Sequence, residues 1–356
     1  MENKDNVLQI FDNHCHVRFI QPIDETLEGF EKEAKELGIS RYAILACPSL
    51  GNDKEPMILE NLKCFYLKDR MSIPTYMYAG FTWHYDDEAS YVEFAKTMLE
   101  IGADGFKTLE QHPRIRKNVG KGLCHPTFNA FFEYVGRQGV PMVCHVGDPR
   151  FNWNMETASE AAKLLGRVYD ESYLCLDALY GEMEAVFRKH PEVKIILAHF
   201  YFKSDDYDGL TKRMEQYPNL YLDLTPGAEM FVDFSKDIEK WRKFFLRYSK
   251  RIIMGSDLYG NGLGVNRHRL VRRYLETSES FLEPELNEVL CPMNLSEDIL
   301  RDIYSNNAIR VSSSTPKPIN RAKAYELCKK MEKECWDRLD NIEQHNLKTM
   351  LKFWEK

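Results

Sequence analysis

The feature that most constrains this chain is a count. Eight short runs rich in Val, Ile, Leu and aromatic residues recur along it: VLQIFDN near 7–13, RYAILAC near 41–47, TYMYAGF near 75–81, DGFKTL near 104–109, PMVCHV at 141–146, VKIILAH at 193–199, LYLDLT at 220–225 and RIIMGSD at 251–257. Most are separated by longer stretches of helical period, the pattern of a parallel sheet built from βα units and covered on both faces. Between the first two runs, DETLEGFEKEAKELG sets Leu27, Phe30, Ala34 and Leu37 on one helical face and ends in Gly38, a C-terminal stop. ASYVEFAKTMLEIG, NAFFEYVGRQG and IEKWRKFFLRYSK continue the alternation after the third, fourth and seventh runs. Eight strands with interposed helices in roughly 300 residues predict an α/β chain folded as a (β/α)8 TIM barrel, because doubly wound sheets usually stop at about five to seven strands.

Two segments exceed the minimal barrel. The stretch from 150 to 190 is about twice the length one helix needs, and reads as an excursion over the face where substrate loops sit. After SNNAIRVSSSTPKP, residues 314–356 read as a C-terminal helical extension with Leu327, Met331, Trp336 and Leu339 at helical spacing. It either packs over the wall of the barrel, residues 1–313, or forms the contact of a homo-oligomer.

Composition narrows the partners. An apolar fraction of 44% can bury a substantial core, and a net charge of -7 argues against a nucleic-acid or acidic-membrane footprint, leaving a small-molecule substrate. MENKDNVLQI has no basic segment followed by an apolar one, and no run approaches the roughly 18–20 apolar residues of a membrane span, so the expected location is cytoplasmic. Nine cysteines stand singly, without C-x-x-C, and are expected to be reduced thiols.

The chemistry collects at strand ends. In FDNHCHV, His14 and His16 are two apart and project from one face of a strand while Cys15 turns to the other. At the C-terminal end of a barrel strand that face is the mouth of the active site. Alone, H-x-H is a weak signal that fits the polar end of a core strand equally well. However, His145 stands at the end of the PMVCHV strand, one residue before its last, His199 ends VKIILAH and Asp257 ends RIIMGSD. Ionisable groups at the ends of apolar strands are costly to bury without partners. Singly each reads as a hydrogen-bonded histidine or a capping aspartate; together they read as one site.

This ordered set resembles the amidohydrolase superfamily, in the branch often called amidohydrolase-related that includes the aminocarboxymuconate-semialdehyde and resorcylate decarboxylases. The closing GSD and the later NAIRV are similar to that family's endings as well. The resemblance implies one divalent metal ion, most simply Zn²⁺ with Mn²⁺, Fe²⁺ or Ni²⁺ open, held by His14, His16, His145 and Asp257. It further implies catalysis by Asp257, passing a proton from water to the leaving group, and by His199, orienting substrate and stabilising an oxyanion. Hydrolysis of a C–N or ester-type bond is the leading expectation. Decarboxylation of a small unsaturated or aromatic acid is the alternative, a silent binding barrel is the third, and the fold does not choose among them.

Around this set, Lys107 in DGFKTLEQHP is a substrate-binding candidate that adds positive charge to the pocket; in some amidohydrolases a carboxylated lysine there bridges two metals. In HVGDPRFNWN, Asp148, Arg150 and Trp153 are placed to shape the pocket, Arg150 either gripping a substrate carboxylate or lying on the surface, Trp153 either lining the site or packing the loop. LTPGAEMF reads as a pocket wall or a tight turn. GNGLG at 260–264 lacks the strand-helix glycine fingerprint and reads as a loop. His84, His112, His125 and His268 read as exposed or capping residues, with His84 and His112 able to face the mouth. Cys15, Cys47 and Cys144 read as buried thiols.

Overall fold

All eight runs become parallel strands: β1 Ile10–Cys15, β2 Ile39–Leu45, β3 Thr75–Gly80, β4 Gly105–Gln111, β5 Pro141–Val146, β6 Lys194–Leu197, β7 Leu220–Asp223 and β8 Ile252–Ile253, hydrogen-bonded in sequence order. The computed structural model describes residues 8–17, 21–47, 58–227 and 229–355; Val7 of the first run and Ala228 of LTPGAEMF lie outside the described residues. The ring closes between β1 and the segment after β8: Asn13 N donates to Met254 O (3.0 Å), Asp257 N to His14 O (2.9 Å) and His16 N to Leu258 O (2.8 Å). With helices between the strands, this is a (β/α)8 TIM barrel, and its seam runs through the residues singled out above.

Strand β1 is not regular. Asp12 pairs with Tyr42 and Cys15 with Ile44, so three steps along β1 face two along β2, a one-residue bulge. Consecutive residues Asn13 and His14 therefore both turn inward, Asn13 Oδ1 accepting from Tyr78 Oη (3.2 Å) inside the barrel. Asp12 and Cys15 turn outward, towards the helices.

The interior is filled by Phe11, Leu45, Tyr76, Tyr78, Val143, Ile196 and Ile253, and its floor is closed by Ala308 and Val311 of the helix Asn307–Val311. Outside, the helix Ile23–Leu37 buries Leu27, Phe30, Ala34 and Leu37 and stops at Gly38, whose φ of 71° is the left-handed conformation glycine adopts without a Cβ penalty. The helix Glu60–Arg70 gave no sequence signal. Its residues Glu60 to Lys68 are all buried, so it shows no amphipathic period.

What buries its outer side is the C-terminal pair of helices, Arg321–Cys335 and Asn341–Trp354. Trp354 Nε1 donates to Asp69 Oδ2 (2.9 Å), Arg321 Nε reaches the same oxygen (2.9 Å), and Ile23 N donates to Asn346 Oδ1 (2.8 Å). A cavity of about 250 Å³ between the helix Arg321–Cys335 and the wall is lined by Asn61, Trp83, Phe94, Met98, Leu327 and Met331. Its lining takes in neither the strand-end histidines nor Asp257. The 150–190 stretch holds a short helix, Glu160–Leu164, followed by the wall helix Leu176–Lys189. Among the described residues, no helix is long and apolar enough to cross a membrane.

Candidate metal centre

The site begins with the tautomers of two histidines. His14 Nδ1 lies 2.7 Å from Asp223 Oδ2, and His16 Nδ1 lies 2.8 Å from the Leu45 carbonyl oxygen. A carboxylate and a carbonyl only accept, so each Nδ1 carries its proton and each Nε2 presents a lone pair. The two Nε2 atoms face one another at 3.1 Å. Asp257 Oδ1 completes a triangle at 3.7 Å from His14 Nε2 and 3.4 Å from His16 Nε2. Tetrahedral ligands about 2.0–2.2 Å from a shared ion stand about 3.4 Å apart, so the three atoms are spaced as ligands of one cation. Two lone pairs facing one another at 3.1 Å repel unless a cation or proton stands between them.

Backbone geometry builds this triangle. Asp257 adopts φ 60°, a left-handed conformation that aspartate tolerates better than most residues. Its outer oxygen Oδ2 accepts from Arg267 Nη1 (3.2 Å). Gly255 lets β1 and the β8 segment approach: a Cβ there would stand 2.5 Å from Thr225 Oγ1 and 2.8 Å from His14 Cβ. Asp223 also binds the backbone, its Oδ1 accepting from His199 N (2.8 Å) and Thr225 N (3.2 Å).

Lys107 is buried inside the barrel with Nζ 3.2 Å from His14 Nε2. His199 stands beside them, its ring centroid 5.4 Å from that of His14 and stacked at 4.9 Å on Phe202. It opens a left-handed run of four non-glycine residues, His199 to Phe202, with φ between 47° and 63°. Each such residue costs about 1–2 kcal/mol, strain of a kind that clusters at functional sites.

The sequence grouped His145 with His14, His16 and Asp257; the structure separates it. β5 comes from across the barrel, and His199 fills the space between, 4.9 Å from the His145 ring. His145 instead joins His112 and Asp148, whose Oδ1 and Oδ2 stand 3.6 Å from His145 Nε2 and 3.5 Å from His112 Nε2. Tyr169 Oη donates to Asp148 Oδ2. Arg150 lies 54% exposed, paired with Asp177 (3.4 Å) and Asp205 (3.8 Å), so it stands on the surface. Trp153 packs its loop, donating to Leu174 O (3.2 Å) with its ring 4.7 Å from Tyr169. His84 meets Glu110 at 3.1 Å, and Gly262 N in GNGLG donates to Glu33 Oε1 (2.8 Å), which occupies one donor of that loop.

Burial dominates the electrostatics. It lowers the imidazoles of His14 and His16, helped at His14 by Lys107, and brings His199 down to about 3 and both His145 and His112 to about 4. These rings are neutral near pH 7, the form in which a histidine ligates. For Asp257 burial works upward, yet His14, His16, His199 and Arg267 outweigh it and hold the carboxyl below its usual range. Cys47 Sγ lies 3.2 Å from His16 Nδ1, and burial pushes its thiol up to about 12, an inert form.

Sequence reading missed Asp223, Asp12 and the partners of Asp12. Asp223 lies two residues before the end of LYLDLT but is the last residue of β7, so it obeys the same strand-end rule that found His199 and Asp257 once the strand's true end is known. Asp12 carried no signal, because the bulge that turns it outward is not written in any motif.

A family model for amidohydrolases matches residues 15–311. The chain belongs to the amidohydrolase family. Solved structures of similar fold include 4-oxalomesaconate hydratase from Rhodopseudomonas palustris (12% identity, 92% of this chain and 99% of that one, TM-score 0.52). They also include IDCase from Metarhizium anisopliae (14%, 85% and 96%, 0.52) and a dihydroxybenzoic acid decarboxylase from Polaromonas sp. with bound manganese and 2-nitroresorcinol (13%, 86% and 97%, 0.51). No curated protein matches the sequence. Amidohydrolase membership makes this chain an enzyme of a metal-dependent family that acts on small molecules; the solved neighbours, at these identities, share its fold.

Proposed function

We propose that this amidohydrolase is a single-metal hydrolase of a small organic substrate with a C–N or ester-type bond, its ion held by His14, His16 and Asp257. The observation that carries the reading is the triangle of Nε2, Nε2 and Oδ1 atoms spaced 3.1–3.7 Å, with both Nδ1 protons already committed. A divalent ion bound there, Zn²⁺ in the simplest case, supplies Lewis acidity, polarising a carbonyl oxygen and making water a stronger acid. Asp257 takes the proton of the attacking water and delivers it to the leaving group. His199, fixed by Asp223 through its backbone N–H and by Phe202 through stacking, orients the substrate carbonyl. The Lys107 ammonium, buried against His14, stabilises negative charge that develops on the substrate.

One observation favours decarboxylation of a small carboxylic acid as a second reading. Asp257 Oδ2 is already bonded to Arg267, and a carboxylate held by a guanidinium is a weaker base than hydrolysis asks for. The test is elemental analysis of protein purified without chelator, followed by a substrate panel of N-acyl compounds, esters, lactones, 2,6-dihydroxybenzoate and related acids. Hydrolysis predicts a liberated acid with amine or alcohol; release of CO₂ without either replaces it with the second reading. Less than about a tenth of an equivalent of transition metal, with none taken up on titration, overturns the metal centre itself.

A further inference from the structure

Asp12 is fully buried on the outer side of β1, and among the described residues its ion-pair partner is an imidazole, His268, and no Lys or Arg. A carboxylate in that position is costly unless hydrogen bonds replace its water, and it has three donors. Ser256 Oγ and His268 Nδ1 (3.3 Å) both donate to Oδ2, and His14 N (3.3 Å) donates to Oδ1. Ser256 and His268 are themselves buried. The three partners come from three elements: the backbone of the ligand strand β1, the residue preceding Asp257, and the helix Val265–Glu276.

These contacts bracket the metal triangle from behind. Ser256 fixes the peptide that enters Asp257, whose φ of 60° must be maintained against its intrinsic preference. His268 anchors the helix at the residue next to Arg267, which holds Asp257 Oδ2 at 3.2 Å. The His14 contact fixes the β1 bulge at the point where Asp257 N donates to His14 O (2.9 Å). An apolar residue at position 12 would satisfy the layer between strand and helices equally well, as Ile10 and Cys15 do on the same face. What the carboxylate adds is a fixed relation between two ligands that approach from opposite sides of the barrel seam.

The geometry points to Asp12, Ser256 and His268 as positioning residues that set the separation of His14 and Asp257, and hence the affinity and geometry of the metal centre. This rests on the metal-centre reading above, and the test separates the two. Wild-type protein, Asp12→Asn, Ser256→Ala and His268→Gln are stripped and titrated with Co²⁺ and Zn²⁺, with thermal melting and far-ultraviolet circular dichroism on each metal-free protein. Trp354→Phe serves as a control that disturbs packing on the C-terminal helices, away from the metal triangle.

The expected result is a loss of affinity of about 10–100-fold in Asp12→Asn and a smaller loss in the other two, the scale of removing an outer-shell partner. A shift in the visible bands of bound Co²⁺ accompanies it, with circular dichroism unchanged. Wild-type affinity and an unchanged Co²⁺ spectrum in the three variants, whatever their melting points, overturn the inference while leaving the metal centre intact. Failure of the wild type to bind either ion overturns the metal-centre reading and this inference with it. If Asp12→Asn does not fold, Ser256→Ala, which removes only a hydroxyl, decides the matter by the same two readouts.

Discussion

Asp223→Asn isolates the tautomer argument on which the metal centre depends. The two carboxylate oxygens of Asp223 do different work: Oδ1 accepts from His199 N (2.8 Å) and Thr225 N (3.2 Å), and Oδ2 from His14 Nδ1 (2.7 Å). Asparagine with its oxygen at the Oδ1 position keeps both backbone bonds and presents an amide N–H to His14. The imidazole answers by moving its proton to Nε2, where it faces His16 Nε2 at 3.1 Å and forms an ordinary N–H···N bond. The metal-free variant keeps both backbone bonds but takes the Nε2 lone pair away from Lys107 Nζ, 3.2 Å off, so its loss of stability is about 1–3 kcal/mol: one charge-assisted bond exchanged for a neutral one and one buried acceptor lost.

Metal binding must first undo that tautomer. Affinity falls about 10–100-fold, or about 1.4–2.8 kcal/mol. Asp223→Ala behaves differently, since it strands three buried donors at about 1–3 kcal/mol each and lowers the melting temperature of the metal-free protein sharply. The assay is competition for Zn²⁺ against a chromophoric chelator, alongside thermal melts of metal-free protein. Unchanged affinity in Asp223→Asn would refute the assignment of His14 Nε2 as a lone-pair donor to the ion.

Three further outcomes are expected. Glu33, buried with Gly262 N on Oε1, is raised to about 7 by desolvation; a folded pKa above the unfolded value favours the folded state most at low pH, and that contribution is lost as pH rises from about 4.5 through 7. Glu33→Gln is thus more stable than wild type in urea at pH 8 by about 1–3 kcal/mol and loses that advantage below about pH 4.5; equal gaps at both ends would contradict it. Trp354→Ala, at a buried residue of the C-terminal helix, costs about 3–5 kcal/mol of stability, and removal of residues 316–356 lowers the melting temperature by uncovering the helix Glu60–Arg70. An altered mass in solution with an unaltered melting temperature would instead assign the extension to an oligomer contact. Finally, because the Lys107 ammonium lies against His14 Nε2, metal titration saturates at one equivalent regardless of bicarbonate; two equivalents that depend on bicarbonate would reveal a carboxylated, bridging lysine.

Much of the architecture was legible. Continuous apolar runs at regular intervals can be buried on both faces only in a covered parallel sheet, and eight of them close. The helix Glu60–Arg70 escaped because two later helices cover its outer side, and a helix buried all round has no amphipathic period to read. The strand-end rule found His14, His16, His199 and Asp257, which the structure brings together, and His145, which it sets apart with His112 and Asp148.

By itself the sequence determined the barrel and the strand ends on which its chemistry-bearing residues stand, because strand period and apolar patterning are local properties of the chain. Only the tertiary structure decided which of those residues meet. A single bulge in β1 turns His14 inward beside Asn13 and Asp12 outward to Ser256 and His268, and a left-handed Asp257 closes the triangle across the seam. Both depend on contacts between residues more than two hundred positions apart, which no periodicity along the chain encodes.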